Sequence, residues 1–371
     1  MKKIIGAVVG AGIVLALVGA VILGVWRQSL QVADPSGKPV IKIGAILPLT
    51  GNSAAMGKSG LNAAILAIEH MNQNPNNKYE YVLIPEDFGS DPSKLCIPIY
   101  NKLTLLNHVK ALISMNSIVG MALKPYVNKD KVVHVSAAAE DRLADGYFSY
   151  KNSSDSADYA QKLVELMHEK GWKTISLAYF NHQAAVTNVI ALKAALEKNK
   201  IPILSETTFN PTDRQFGISA YKITRDNPDV VYVFAEEPNL TLFARDLRRA
   251  GYKGRLTTFY LFPYAMDKGL FEGEYYVDFG SGDKTFAQAY EERFKTPIVS
   301  TAPVFYDSMM VLYHLFEDNA DVTTDTAAKV RAVSEKYVGP NGRLYYRDGG
   351  ILYTPGVIKQ IVNGQPVPAG N

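Results

Sequence analysis

A single cysteine, Cys96, stands in this chain of 371 residues. An internal disulfide is therefore excluded, and each folded unit must be held by an apolar core large enough to do without one. Histidine is scarce too. His70, His108, His134, His168, His182 and His314 form no H-E-x-x-H pair and no paired spacing with acids, so no metal site is expected. There is no G-x-S-x-G elbow, and Cys96 falls in a predicted helix with no nearby base, which leaves nucleophilic hydrolysis unsupported. Net charge is only +3, too small to argue for nucleic acid or an acidic surface partner. The segment Gly51-Asn52-Ser53-Ala54-Ala55-Met56-Gly57-Lys58-Ser59 imitates a phosphate loop but has one residue too many between its glycines, which alters the backbone N–H cradle. No cofactor is expected.

What is present begins with an apolar run. Lys2 and Lys3 precede Ile4 to Trp26, about 23 residues without a charge and long enough to cross a bilayer as one helix. The run exceeds a signal-peptide core, and neither an A-x-A-like cleavage site nor a lipobox cysteine follows it. The expectation is a transmembrane anchor over residues 1–27 and a linker over 28–39, with the lysines inside and the remainder exported. The alternative is a long cleaved signal, which exports the same remainder.

The composition of the chain is ordinary for a globular protein, and the length from residue 40 onward fits two lobes. Strand and helix signals alternate throughout, the pattern of parallel α/β sheets. The strand at 41–47 is almost wholly apolar, as expected where both sheet faces are covered. Further strands are predicted at 79–84, 109–113, 132–135, 174–179, 202–207, 229–234 and 256–260. Helices are predicted at 57–71, 93–106, 118–127, 158–170, 186–199, 217–226, 239–250, 284–294 and 304–318. Residues 151–155 read as a polar break, and the tail from Val338 as short antiparallel strands joined by glycine turns. Two doubly wound, Rossmann-like lobes would face each other across a ligand cleft.

Several loops at strand ends carry candidate binding residues. Ser114-Met115-Asn116-Ser117 follows one strand and opens a helix, where small polar groups and free N–H groups suit an anion. An ordinary helix cap by Asn116 or Ser117 is equally compatible. Ser136-Ala137-Ala138-Ala139 repeats that geometry, with small residues leaving room for a ligand. Glu236-Glu237 follows the strand at 229–234, placed either to meet a ligand ammonium or to start a helix beside Pro238.

Taken in order, these pieces resemble the type I periplasmic binding proteins, specifically the leucine/isoleucine/valine-binding-like solute receptors of ABC importers. The resemblance rests on Ile41-Lys42-Ile43-Gly44 with Pro48-Leu49-Thr50-Gly51, and on Gly57 with the Ala-rich helix ending Ile68-Glu69-His70-Met71-Asn72. It continues through Glu86-Asp87 with Asp91-Pro92, Ala302 with Tyr306-Asp307, and Gly339-Pro340-Asn341-Gly342. It implies three chain crossings, near 150–157, 277–283 and 336–340. The implied lobes are 40–152 plus 283–336, and 153–282 plus 337–371, closing by hinge motion over a small molecule for a membrane permease to read.

For the site, the resemblance implies that Asn116 and Ser117 meet a ligand carboxylate and that Ala138 and Ala139 border it. Ala139 stands where the family usually has a hydroxyl, and Ser136 is the residue to compensate. Met56 occupies a position often aromatic, and Asn181 belongs to the loop where an aromatic commonly packs on ligand. No acid stands near Tyr260 for an ammonium, and Glu236 is the nearest substitute. The implied function is an exported, membrane-tethered solute receptor without enzymatic activity, binding an amino acid or similar small polar ligand. The alternative is a sensing or protein-interaction subunit with the same fold.

Overall fold

The computed structural model describes residues 37–369, apart from 154, 281 and 300. The expected anchor, Ile4 to Trp26, lies outside the described residues. Among those described, no helix is long and apolar enough to cross a membrane.

The first lobe is built on β1 (Val40–Leu47), β2 (Glu80–Asp87), β3 (Ala111–Met115), β4 (Val133–Ala137) and β5 (Ser149–Asn152). β1 lies between β2 and β3, and all the neighbouring pairs among these five strands are parallel. Along β1, Ile41, Ile43, Ala45 and Leu47 pack toward α1 (Ala54–Asn72), while Ile46 joins Leu112 and Tyr100 beneath α2 (Pro92–Asn101) and α3 (Ser117–Asp130). The alternation of a strand thus fills two apolar layers, which is why this strand carries almost no polar residue. Each fully buried aliphatic side chain here stabilises the lobe by about 1.5–3 kcal/mol.

The second lobe follows with α4 (Ser156–Lys170), β6 (Ile175–Phe180), α5 (Gln183–Lys198), β7 (Ile203–Phe209), α6 (Gly217–Asp226), β8 (Val230–Phe234), α7 (Asn239–Arg249) and β9 (Arg255–Thr257). Its four-stranded parallel sheet has the order β7-β6-β8-β9. β10 (Tyr275–Asp278) follows, and the chain then returns to the first lobe as α8 (Lys284–Phe294), α9 (Thr301–Asp318) and α10 (Thr326–Lys336).

The tail departs from expectation. After the short hairpin β11 (Val338–Gly339) and β12 (Gly342–Arg343), strands β13 (Tyr345–Arg347) and β14 (Ile351–Tyr353) extend the first sheet, β14 running parallel to β5. Only β15 (Val357–Val362) and β16 (Gln365–Pro368) belong to the second lobe, in an antiparallel sheet with β10. The third crossing therefore falls between Tyr353 and Val357, not near 336–340. Residues 337–353 do not belong with the second lobe where the sequence reading put them.

The expected boundary follows from the family resemblance, and no local signal opposes it because β5, on which β14 pairs, reads in sequence as part of a polar break. Lys151 and Asn152 are buried polar residues in a true strand, and β5 supplies the edge on which β14 pairs. α10 and β10 were also unforeseen, and β2 continues through Pro85-Glu86-Asp87, where a turn was expected.

The β11–β12 hairpin sits at the hinge. Asn341 Oδ1 accepts from Gly282 N–H at 2.9 Å, and Gly339 lies so close to Asp307 that a Cβ there would meet its Oδ1 at 2.0 Å. Tyr337 O–H donates to the same Oδ1 at 2.8 Å. Burial pushes the Asp307 carboxyl up to about 8, against the opposing effect of the Tyr337 hydrogen bond. An unfolded aspartate titrates near 3.9, so the folded chain binds this proton more tightly. Stability contributed here is full below about pH 4 and is lost as pH rises through about 8. Asp307→Asn keeps an acceptor for Tyr337 without the ionisation. Urea midpoints measured from pH 5 to 9 should fall less for Asp307→Asn than for the parent chain.

Candidate functional site

Carboxyl ends of parallel strands from both lobes meet in one cavity of about 320 Å³. The first lobe supplies the loop after β1 with the first turn of α1 (Pro48, Asn52, Ser53, Met56), the loop after β2 (Phe88 to Ser90) and the turn from β3 into α3 (Met115 to Ile118). Ala137 ends β4, and Ala138 and Ala139 follow it. The second lobe supplies His182 to Ala184 at the start of α5, Phe234 at the end of β8 with Glu236 beyond it, and Tyr260 and Leu261 after β9. Two crossing residues, Ser153 and Phe279, close the hinge side.

Asp87 holds the first two loops together. Its Oδ1 accepts from Leu49 N–H at 2.8 Å, Thr50 N–H at 3.3 Å and Gly89 N–H at 2.7 Å, and its Oδ2 from Thr50 O–H at 2.6 Å. Partial burial works against this charge, yet the hydrogen bonds from Thr50, Gly89 and Leu49 together hold the carboxyl below its ordinary range. Gly57 completes the loop, because a Cβ there would meet Pro48 O at 2.0 Å.

Asn116 caps α3, its Oδ1 accepting from Ile118 N–H at 2.8 Å, with φ at 92°. Asparagine tolerates that left-handed backbone better than most residues. Ser117 Oγ accepts from Glu140 N–H at 3.3 Å, leaving its own proton to donate. His182 caps α5, with Nδ1 accepting from Ala185 N–H at 3.3 Å. Burial lowers its pKa from the ordinary value, against the raising effect of Glu236. No lysine or arginine lines the cavity among the described residues, and Glu236 is the one carboxylate on its wall. Much of the remaining wall is apolar: Met56, Phe88, Met115, Phe234, Leu261, Phe279 and Val304.

The lobes are in contact across this cavity. Ser53 Oγ, at the residue before α1, donates to Glu236 Oε2 at 2.8 Å, and Tyr264 O–H donates to Thr301 Oγ1 at 3.3 Å.

Of the residues singled out from sequence, Met56, Asn116, Ser117, Ala138, Ala139, Glu236 and Tyr260 line the cavity. Ser136 does not. Strand alternation turns it to the α3 face, where its Oγ accepts from Ser114 Oγ at 2.9 Å beside Gly120. Asn181 is exposed outside the wall, its N–H donating to Phe209 O at 3.0 Å, and the next three residues line the cavity instead. Sequence reasoning missed Ser53, Phe88, His182, Phe234 and Phe279. Ser53 sat inside the loop dismissed as a phosphate cradle, and its position before a helix was the available signal. Phe279 lies on a crossing, where no local pattern marks it.

A family model described as periplasmic binding protein matches residues 40–365, nearly all of the described chain. The chain belongs to the periplasmic binding protein family. This makes it an extracytoplasmic solute-binding protein, from a family that binds ligands rather than turning them over. No curated protein sequence matches it.

Several solved structures share the fold. The branched-chain amino acid transporter substrate-binding protein LivJ of Streptococcus pneumoniae, in complex with isoleucine, superposes with a TM-score of 0.80 at 16% identity, covering 88% of this chain and 97% of that one. An R. palustris ABC transporter solute-binding protein in complex with benzoate gives 0.77 at 18% identity, with 89% and 96% covered. A fatty acid ABC transporter substrate-binding protein of Thermomonospora curvata gives 0.77 at 20% identity, with 89% and 91% covered. At these identities the likeness establishes the fold.

This periplasmic binding protein should depend on Asp87 for its cavity loops. Asp87→Ala removes a charged acceptor shared by three backbone N–H groups and a hydroxyl. We expect a loss of about 1–3 kcal/mol in urea unfolding, with faster amide exchange at Leu49, Thr50 and Gly89. Unchanged exchange at those amides would count against its role.

Proposed function

We propose that this protein is the solute-binding component of an ABC importer and that its ligand is an amino acid with an apolar side chain. The observation that carries the reading is the polarity of the cavity: a helix start on one wall and a lone carboxylate on another, with aromatic surface between. A ligand carboxylate fits the α3 start at Asn116 and Ser117, where N–H groups and the helix dipole favour an anion. Ala138 and Ala139 leave room beside it. The ammonium fits Glu236, and the side chain fits among Met56, Phe88, Tyr260 and Phe279. The solved relatives bound to isoleucine and benzoate carry a carboxylate in each case, in agreement with an anion-receiving wall.

Closure of the lobes would present one surface to a membrane permease, with the apolar run Ile4 to Trp26 tethering the protein beside it. Selectivity would come from desolvated hydrogen bonds, since an analogue lacking a group leaves buried polar partners unpaired.

Thermal unfolding against panels of amino acids, benzoates and fatty acids tests the reading. A ligand that binds only the folded form raises the midpoint with its concentration. An upward shift from apolar amino acids is expected. A shift confined to benzoates or fatty acids would overturn the amino-acid assignment, and no shift in any panel would favour a protein-interaction role instead. Glu236→Gln keeps an acceptor for Ser53 but removes the charge. It should weaken amino-acid binding at least about tenfold in calorimetry, equivalent to about 1.4 kcal/mol. Equal affinity in the variant would remove Glu236 from ammonium recognition.

A further inference from the structure

Glu140 lies just behind the cavity, following Ala139 on its wall, and is only 4% exposed. Its backbone N–H reaches Ser117 Oγ, which ties it to the α3 start. On its own lobe Arg142 fixes the carboxylate: Oε1 accepts from Arg142 Nε at 2.8 Å and backbone N–H at 3.1 Å, and Oε2 from Nη2 at 2.9 Å. Oε2 does more. It also accepts from Gln183 Nε2 and, at 3.3 Å, from Thr187 Oγ1, both on α5 of the opposite lobe.

This arrangement differs from a surface ion pair. The Arg142 side chain is 69% exposed, whereas that of Glu140 is 5% exposed. Arg142 thus orients a desolvated carboxylate whose remaining acceptor capacity is spent across the cleft. A negative charge at the first turn of α5 also meets the positive end of that helix. Hydrogen bonds to a charged acceptor are about twice as strong as neutral ones, and an acceptor withdrawn from water is costly to leave unpaired. Opening the lobes breaks the Gln183 and Thr187 bonds while leaving Arg142 in place.

We propose that Glu140 is a positioning residue for ligand capture, clamping the first lobe onto the start of α5 so that the closed form is populated before ligand arrives. The proposal rests on the solute-receptor reading for the purpose of closure. Its test needs no ligand, so either can fail alone.

The measurement is the interlobe distance distribution in the ligand-free full chain, by electron–electron double resonance. Nitroxides would be placed through Leu106→Cys and Ile218→Cys, which are exposed on opposite lobes, while the native Cys96 is buried. The parent chain should show a compact population. Glu140→Ala should lower the closed-to-open ratio roughly tenfold or more. Gln183→Ala combined with Thr187→Val should give a comparable shift with the Glu140–Arg142 pair intact, which a purely structural role for Glu140 does not predict. Should Glu140→Ala fail to fold, this second variant decides the matter. A parent chain wholly open without ligand, or an unchanged distribution in the α5 variant, would overturn the proposal.

Discussion

A buried ammonium governs how the two lobes are joined. Lys151 is fully buried in β5, and its Nζ donates to Ala139 O at 3.0 Å and to Asp141 Oδ1 at 2.5 Å. Burial lowers its pKa against the raising effect of Asp141, and the two hydrogen bonds stand in for the water its Nζ has lost. Asp141 also accepts from Arg347 Nη2 at 2.6 Å, and Arg347 reaches Asp155 at the entrance to α4. A single ionic cluster thereby fastens the end of β4, the strand β5, the added strand β13 and the first crossing. Removing one partner from such a cluster leaves an uncompensated charge in place, which is far costlier than never having built it.

With the crossings fastened, the cleft can be closed by weaker bonds. Glu236 reaches from the second lobe to the residue before α1, and Glu140 reaches from the first lobe to the start of α5. The two contacts are reciprocal: each sets a carboxylate against the beginning of a helix on the facing lobe. Helix starts expose N–H groups and positive potential, so this is where a carboxylate gains most. The same property at α3 is what a ligand carboxylate would use. Closure and the proposed ligand recognition would therefore draw on one kind of interaction at neighbouring places.

Much of the fold was legible because its signals are local. The apolar strand β1, the Ala-rich helix α1 and the strand–helix alternation of the second lobe each declare themselves within a dozen residues. β5 did not, because its buried residues are polar and their partners are remote in sequence. Lys151 looks like a solvated break until Asp141 and Ala139 are placed around it. With β5 unrecognised as an edge, nothing local opposed the placement of β14 in the second lobe that the resemblance implied. For the candidate site, strand-end loops were visible, but which neighbour in each loop faces inward was not. Ser136 and Ala137 differ by one residue and point to opposite sides, and Asn181 and His182 differ in the same way.

The sequence by itself determined the α/β class, the order of most of its elements, the absence of an internal disulfide, and the loops from which a ligand would be held. Periodicity, composition and helix-start chemistry act over a few residues, and a linear reading captures them. Only the tertiary structure decided the path of the third crossing, the pairing of Ser53 with Glu236, and the contact of Glu140 with α5. Those depend on residues brought together from opposite lobes, where the deciding quantities are distance, direction and exclusion of water. None of these is a property of either residue alone.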